Sequence, residues 1–228
     1  MDTNFWGPPA WKLLHLITYT YPQDPNKNHK RVYAKFFNTL KTVLPCSYCQ
    51  KSITQFYNQL PIENSLDNKE KLVKWLYDIH NLVNNKLRQQ GLLKNNNPSL
   101  EDVNKQYNQY LKQKCQIIGW NFLYSVVLNY PEDAKEITKK IRGEYDHFFT
   151  YLSRIIPCSK YKTTYKIYTN SNPLSNALKN RETLLTWLFL LNASMNEKMS
   201  SSDTTYEKLK SNLQKFKVQK CDNNTCRL

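Results

Sequence analysis

The second half of this 228-residue chain repeats the pattern of the first, and that repeat limits the fold more than any single motif. Trp11 through Tyr21-Pro22-Gln23-Asp24 aligns with Trp120 through Tyr130-Pro131-Glu132-Asp133 at an offset of 109. Tyr33 through Pro45-Cys46-Ser47 aligns with Tyr145 through Pro157-Cys158-Ser159 at an offset of 112, and Asn68–Leu87 aligns with Asn180–Met199 at the same 112. Three blocks in one order at a near-constant offset indicate an internal duplication rather than two unrelated amphipathic bundles. A fold for this chain must therefore work twice.

That fold reads as all-α. Only 4 glycines are present, too few for many strands joined by tight turns. Residues 5–21 predict a helix opened by Pro8-Pro9, with Trp11, Leu14, His15 and Thr18 on one face. A second helix is expected from about Lys30 to Val43, carrying Val32, Phe36, Phe37 and Leu40. Pro45 interrupts it, and a third helix starts near Cys46 with Ile53, Phe56, Tyr57 and Leu60 inward. Asn68 caps a fourth, about 69–90, which Gly91 closes. Four helices with short links make a bundle. After a polar linker, Ser99-Leu100-Glu101-Asp102 opens a helix over about 100–114. The expected organisation is a first domain at 1–114, a degenerate helical copy at 115–200 and a tail at 201–228. The tail holds a helix near 206–218 and ends loosely in Cys221-x4-Cys226.

The copies keep their packing residues and differ at polar positions. Trp11/Trp120, Phe36-Phe37/Phe148-Phe149 and Trp75/Trp187 persist, whereas His15 becomes Tyr124, Cys49 becomes Tyr161 and His80 becomes Asn192. The second copy also lacks the Trp6-Gly7-Pro8-Pro9 lead-in. A copy that keeps a core and loses a polar site is a scaffold.

The formal charge is +15, most of it scattered lysine. Such a surface suits acidic proteins, nucleic acid or an anionic membrane, but no Arg-rich tract or zinc-finger spacing argues for specific nucleic-acid binding. Met1-Asp2-Thr3-Asn4 is not a signal-peptide start, and no run of 18 apolar residues is present to span a membrane. The expected setting is intracellular, in the cytoplasm, where thiols stay reduced and a C-x-x-C serves metal or redox chemistry more readily than a passive staple.

Cys46-Ser47-Tyr48-Cys49 therefore has three possible uses. A structural zinc needs four ligands; Cys221 and Cys226 could add two, at loose spacing and far away in sequence. Redox chemistry fits better, because Cys46 follows Pro45 at a helix start, where free N–H groups and the helix dipole favour thiolate. No strand precedes the motif, so this is not a thioredoxin-like setting. Trp11, His15, Tyr19, His80 and Asn84 on neighbouring helix faces suit a flat aromatic cofactor, although each alone also reads as a core residue.

In four pieces, residues 5 to about 112 resemble the Erv/ALR family of FAD-linked sulfhydryl oxidases. These are Trp6-Gly7-x3-Trp11-x3-His15, Tyr21-Pro22, Pro45-Cys46-x-x-Cys49 and Trp75-x4-His80-Asn81-x-Val83-Asn84-x-Lys86-Leu87. The resemblance implies FAD in the mouth of the first bundle, held by Gly7, Trp11, His15, Tyr19, Cys49, His80, Asn81, Val83, Asn84, Lys86, Leu87 and Tyr107. It implies that Cys49 faces the flavin, that Cys46 exchanges with incoming dithiols, and that O2 takes the electrons as hydrogen peroxide. Cys221 and Cys226 look like a shuttle pair, the alternative being a tail staple. The partners implied are dithiol-bearing proteins and O2, with either a homodimer or an intramolecular pseudo-dimer. Members in large cytoplasmic DNA viruses suit the Asn/Lys/Ile/Tyr-rich composition. The chain departs from the family near 98–100, where a structural half-cystine is missing. That leaves Cys115 free or paired with Cys158. The competing function is a catalytically inactive scaffold that binds partners through its basic, aromatic-rich second half.

Overall fold

A computed structural model describes residues 1–112, 119–196, 205–218, 221 and 226. Every regular element among them is helical: α1 (Thr3–Tyr19), α2 (Lys27–Val43), α3 (Ser47–Gln59), α4 (Lys69–Gln89) and α5 (Leu100–Lys112) in the first half. The second half holds α6 (Trp120–Leu128), α7 (Lys139–Ile155), α8 (Ser159–Ser171), the short α9 (Leu174–Ala177) and α10 (Arg181–Met195). α11 (Tyr206–Gln214) lies in the tail. The domain limits expected at 114/115 and 200/201 fall outside the described residues.

The caps read from sequence are present. Asn68 accepts the Lys71 N–H at 2.9 Å, and Ser99 accepts that of Asp102 at 3.1 Å. Gly91, at φ +71°, ends α4 in the left-handed conformation that glycine takes without strain. Three expectations are corrected. α1 begins at Thr3 under an Asp2 cap, so Pro8 and Pro9 lie inside it. The two rings delete two helical N–H donors, and Gly7 before them offers no Cβ for the Pro8 ring to strike. α2 starts at Lys27, earlier than the apolar stripe suggests, because Asn26 and His29 form a capping box. α11 stops at Gln214, short of the expected 218, and the chain turns there.

The duplication holds at the level of single hydrogen bonds. Trp75 Nε1 donates to the Leu60 carbonyl at 2.8 Å, and Trp187 Nε1 to that of Asn172 at 2.9 Å. Tyr21 and Tyr130 donate to the carbonyls of Leu66 and Leu178 at 2.9 and 3.0 Å. Phe37 meets Trp75 edge-on at 5.1 Å, and Phe149 meets Trp187 at 5.5 Å. Burying an indole or phenol makes such a partner necessary, since an unmatched N–H or O–H would cost about 1–3 kcal/mol.

The two halves share one apolar core. α2 lies along α7 and α1 along α6, and the Phe36 and Phe148 rings stack at 5.4 Å. Both rings are fully buried. Gly119 introduces α6 at φ +66°, and a Cβ there would stand 2.9 Å from the Pro9 carbonyl oxygen of α1. Gly119→Ala combines strained backbone with a clash at this seam and is expected to cost about 1–3 kcal/mol. Gly143→Ala, in α7 with nothing within 4 Å of the added methyl, is expected to be neutral or to stabilise by up to about 1 kcal/mol. Thermal melts of the two variants, run side by side, check this pair.

Candidate functional site

Cys46 is the N-cap of α3. Its Sγ accepts the Cys49 N–H at 3.2 Å, and its carbonyl accepts the Gln50 N–H at 2.9 Å. Both cysteines are thiols, with Cys46 buried and Cys49 half-buried. The hydrogen bond from the Cys49 thiol, backbone N–H groups of Cys49 and Tyr48, and the Lys86 charge together outweigh burial and lower Cys46 to about 7. Sharing that bond, together with its own burial, pushes Cys49 strongly upward. Cys46 is thus the sulfur that ionises first, and Cys49 is the donor that stabilises its thiolate. Lys86 is fixed by α4 and donates to Ser52 Oγ on α3 at 2.9 Å.

Cys49 stands on the wall of a cavity of about 430 Å³ in the mouth of the first bundle. Gly7 and Trp11 of α1, His80, Val83, Asn84, Lys86 and Leu87 of α4, and Tyr107 of α5 also face it. Trp11 and His80 stack at 3.8 Å, nearly parallel. A Cβ on Gly7 would meet nothing within 4 Å, so the space beside it is open. Asn84 ties α4 to the linker through Asn97 at 3.0 Å.

Behind His80 lies His15, whose Nε2 is 3.2 Å from His80 Nδ1. Burial and the neighbouring His80 hold His15 down at about 3, and burial holds His80 at about 4, so both rings are neutral near pH 7. His15 Nδ1 is buried without a hydrogen-bond partner. Tyr107 stacks on His15 at 4.7 Å and on Tyr19 at 5.3 Å, and Tyr19 donates to Asn104 at 2.6 Å.

Nine of the twelve residues expected around a cofactor therefore line the cavity: Gly7, Trp11, Cys49, His80, Val83, Asn84, Lys86, Leu87 and Tyr107. His15, Tyr19 and Asn81 do not; the first two form a buried layer that supports Tyr107 and His80. Sequence reasoning missed Thr3, Asn4, Ser52 and the apolar wall of Leu14, Leu40, Ile53 and Leu76. Ser52 was readable as the residue one helical turn beyond Cys49. The apolar residues carry the same signal as any core position.

In the second half the matching positions are plugged. Asn192 Nδ2 donates to the Tyr124 hydroxyl at 2.8 Å where the first half has its histidine pair. Tyr165 stands where Ile53 is, and reaches the Phe149 carbonyl at 3.1 Å. Cys158 is disulfide-bonded, and Cys115 lies outside the described residues.

The tail does not end loosely at its described residues. Phe216 stacks on Phe5 at 3.9 Å, and the Phe216 and Cys226 carbonyls accept the Asp2 and Thr3 N–H groups at 2.8 and 2.7 Å. Cys226 is 1% exposed and is disulfide-bonded to half-buried Cys221. Aromatic stacking and the unsatisfied N–H groups at the α1 N-terminus hold the segment where sequence position alone suggested mobility. Among the described residues no group of three or more His, Cys, Asp or Glu is gathered closely enough to hold a metal ion.

The charges at the site lead to two measurable outcomes. Absorbance titration of thiolate should show one ionisation near pH 7 that Cys46→Ser removes. The lowered histidines imply that the unfolded chain binds more protons than the fold once pH drops below about 6.5. Stability is then full above that pH and is lost as pH falls toward 4. Replacing the pair by its second-half counterparts, His15→Tyr with His80→Asn, should flatten that loss, as read by melting temperature against pH.

Comparison with known proteins gives this geometry a lineage. Over 85 residues the chain is 38% identical to the probable FAD-linked sulfhydryl oxidase R368 of Acanthamoeba polyphaga mimivirus, covering 37% of this chain and 59% of that protein. It is 30% identical over 87 residues to the mitochondrial FAD-linked sulfhydryl oxidase ERV1 of Saccharomyces cerevisiae, covering 38% and 45%. An FAD-linked sulfhydryl oxidase of African swine fever virus is 29% identical over 82 residues, covering 36% and 67%. The chain thus spans about half the length of the first two relatives. The Erv1 / Alr family model matches twice, over residues 8–108 and 118–217, once on each half of the fold, and the chain belongs to that family.

Proposed function

We propose that this chain is an FAD-dependent thiol oxidase that forms disulfides in substrate proteins. One observation carries the reading: a polarised Cys46/Cys49 pair opens through Cys49 onto a preformed aromatic cavity. The cavity suits FAD on its own features. Trp11 and His80 present a flat aromatic wall, the space at Gly7 is clear, and Lys86 provides a cation. His15 Nδ1 is a buried polar atom still without a partner at that wall's back. Trp11, His80, Asn84, Lys86 and Tyr107 would hold the cofactor, with His15 and Tyr19 bracing them. The chemistry that FAD supplies when bound is acceptance of a dithiol's electron pair and its delivery to O2, giving H2O2.

The chain's own part is thiol exchange. A substrate thiolate attacks one sulfur of Cys221–Cys226, forms a mixed disulfide and frees the other tail thiolate. The substrate's second thiol then displaces the tail, leaving oxidised substrate and a tail dithiol. That dithiol reduces a Cys46–Cys49 disulfide by the same two displacements: one tail thiolate attacks Cys46 and frees Cys49 at the cavity wall, and the other tail thiol then closes the tail disulfide and releases Cys46, whose lowered pKa makes it a good leaving group in that second step. The docked tail supports this route, since Val218, just before Cys221, shares one cleft with Pro45, just before Cys46. The shared core supports a pseudo-dimer within one chain, because the faces of α1 and α2 that a partner copy would need are already covered.

The purified chain should be yellow, consume O2 with dithiothreitol and sediment as a monomer. A colourless, folded protein would refute the oxidase reading and favour a scaffold. Cys49→Ser should cut turnover by at least ~10³-fold while leaving flavin bound. Cys221→Ser with Cys226→Ser should slow protein substrates far more than dithiothreitol; equal loss on both would remove the shuttle.

A further inference from the structure

The helix that precedes the tail disulfide rests on the second half. α11 buries Leu213, which borders one cleft with Leu128 and Leu185. The first-half counterparts of those two leucines, Tyr19 and Val73, pack with Val103 and Tyr107 of α5. α11 thus stands on the second half about where α5 stands on the first. Pro45 and Val218 border the same cleft, so α11 sits beside the chain that enters the C-x-x-C.

One polar contact is rewired between the copies, and it is the one that holds α11. In the first half Glu70 is satisfied within its own bundle, by Gln23 Nε2 at 2.7 Å. Glu182 and Glu132 stand at the matched positions, and an ionised glutamate has no proton to donate to another carboxylate. Arg181 takes Glu132 at 2.8 Å, with its Nε donating to the Tyr130 carbonyl. Glu182 faces α11 instead, accepting the Tyr206 hydroxyl at 2.8 Å and Lys210 Nζ at 2.9 Å. The Tyr206 ring meets Phe189 of α10 edge-on at 5.4 Å. Beyond α11 the chain is held again, on the first half, by the Phe216–Phe5 stack and the Thr3–Cys226 hydrogen bond.

We propose that the second half anchors the shuttle: α11, held by Glu182 and Leu213, positions Cys221–Cys226 for exchange with Cys46–Cys49, and Glu182 is a positioning residue for that step. The inference rests on the oxidase and shuttle reading for what the tail does, not for the anchor itself. The step moves one electron pair: the tail dithiol closes to Cys221–Cys226 as the Cys46–Cys49 disulfide opens to two thiols. With α11 in place, the chain from Gln214 to Cys221 reaches at most about 25 Å. With α11 released, the tether starts at Met195 and is roughly four times longer, which lowers the tail's effective concentration at the C-x-x-C roughly sevenfold.

The first copy supplies the control. Glu182→Lys sets two cations face to face and should speed hydrogen exchange of the α11 amides roughly two- to fivefold. Adding Lys210→Glu restores an ion pair with its charges reversed and should return the wild-type rate. Glu70→Lys, the same change at the matched site of the first half, should leave α11 as it is. The release variant, Glu182→Lys with Leu213→Ser, is assayed by O2 consumption on the flavin-loaded full chain. Its kcat on reduced ribonuclease should fall roughly sevenfold without a rise in KM. Its turnover of dithiothreitol should be unchanged, because a small dithiol reaches Cys46–Cys49 without the tail.

Unchanged α11 exchange in Glu182→Lys, an equal change in Glu70→Lys, or no rescue by the reversed pair overturns the proposal. A KM that rises at constant kcat would make this face a substrate site, and faster turnover would make the docked tail a brake; either result overturns it. Equal loss on dithiothreitol overturns it as well. If the wild type does not oxidise dithiothreitol, the oxidase reading fails. Anaerobic reduction of Cys221–Cys226 by a water-soluble phosphine then still decides whether α11 positions the disulfide: it should be faster in the release variant, and an equal rate refutes the anchor.

Discussion

Phe36 and Phe148 stack at the centre of a seam where α2 lies along α7 and α1 along α6, and both rings are withdrawn from water. That seam fixes α1, and α1 supplies Gly7 and Trp11 to the cavity and His15 to the layer behind it. It also presents the N-terminus of α1 to the tail, whose carbonyls satisfy N–H groups that a helix start leaves unpaired. Burial of a large aromatic pair is worth several kcal/mol, a large fraction of the net stability of a domain. The second half is thus tied to the site without lining it: it covers the apolar face of the helices that build the cavity.

Duplication also accounts for the asymmetry between the halves. Once one copy covers the other, only one needs chemistry, and the second can trade polar site groups for packing. Tyr124 and Asn192 satisfy each other where His15 and His80 stand, and Tyr165 occupies the place of Ile53. The second half also lacks the Trp6-Gly7-Pro8-Pro9 lead-in, part of which walls the cavity in the first half. The same freedom reached the outer surface, where Asp78 became Leu190 and Gln55 became Ile167.

Sulfur chemistry at the site follows from local geometry. A cysteine at an N-cap accepts a backbone N–H, and the second cysteine one turn later is placed to share its proton. The local part of this polarisation needs only a helix capped by Cys46, which is why the C-x-x-C was readable in sequence. Lys86 is different: its charge reaches the sulfurs only because α4 packs on α3, and its bond to Ser52 exists only where those two helices meet.

Sequence by itself determined the all-α class, the repeat, the caps at Asn68 and Ser99, the end at Gly91 and nine of the residues that line the cavity. These depend on spacing along one helix or on identity at matched positions, which the linear order preserves. Only the tertiary structure decided that His15 and Tyr19 brace the wall without forming it, that Pro8 and Pro9 sit inside α1, and that the tail docks on α1. Each turns on distances between segments far apart in the chain. A buried face looks the same in sequence whether core or cavity lies beyond it, because both are apolar and both recur with the helical period.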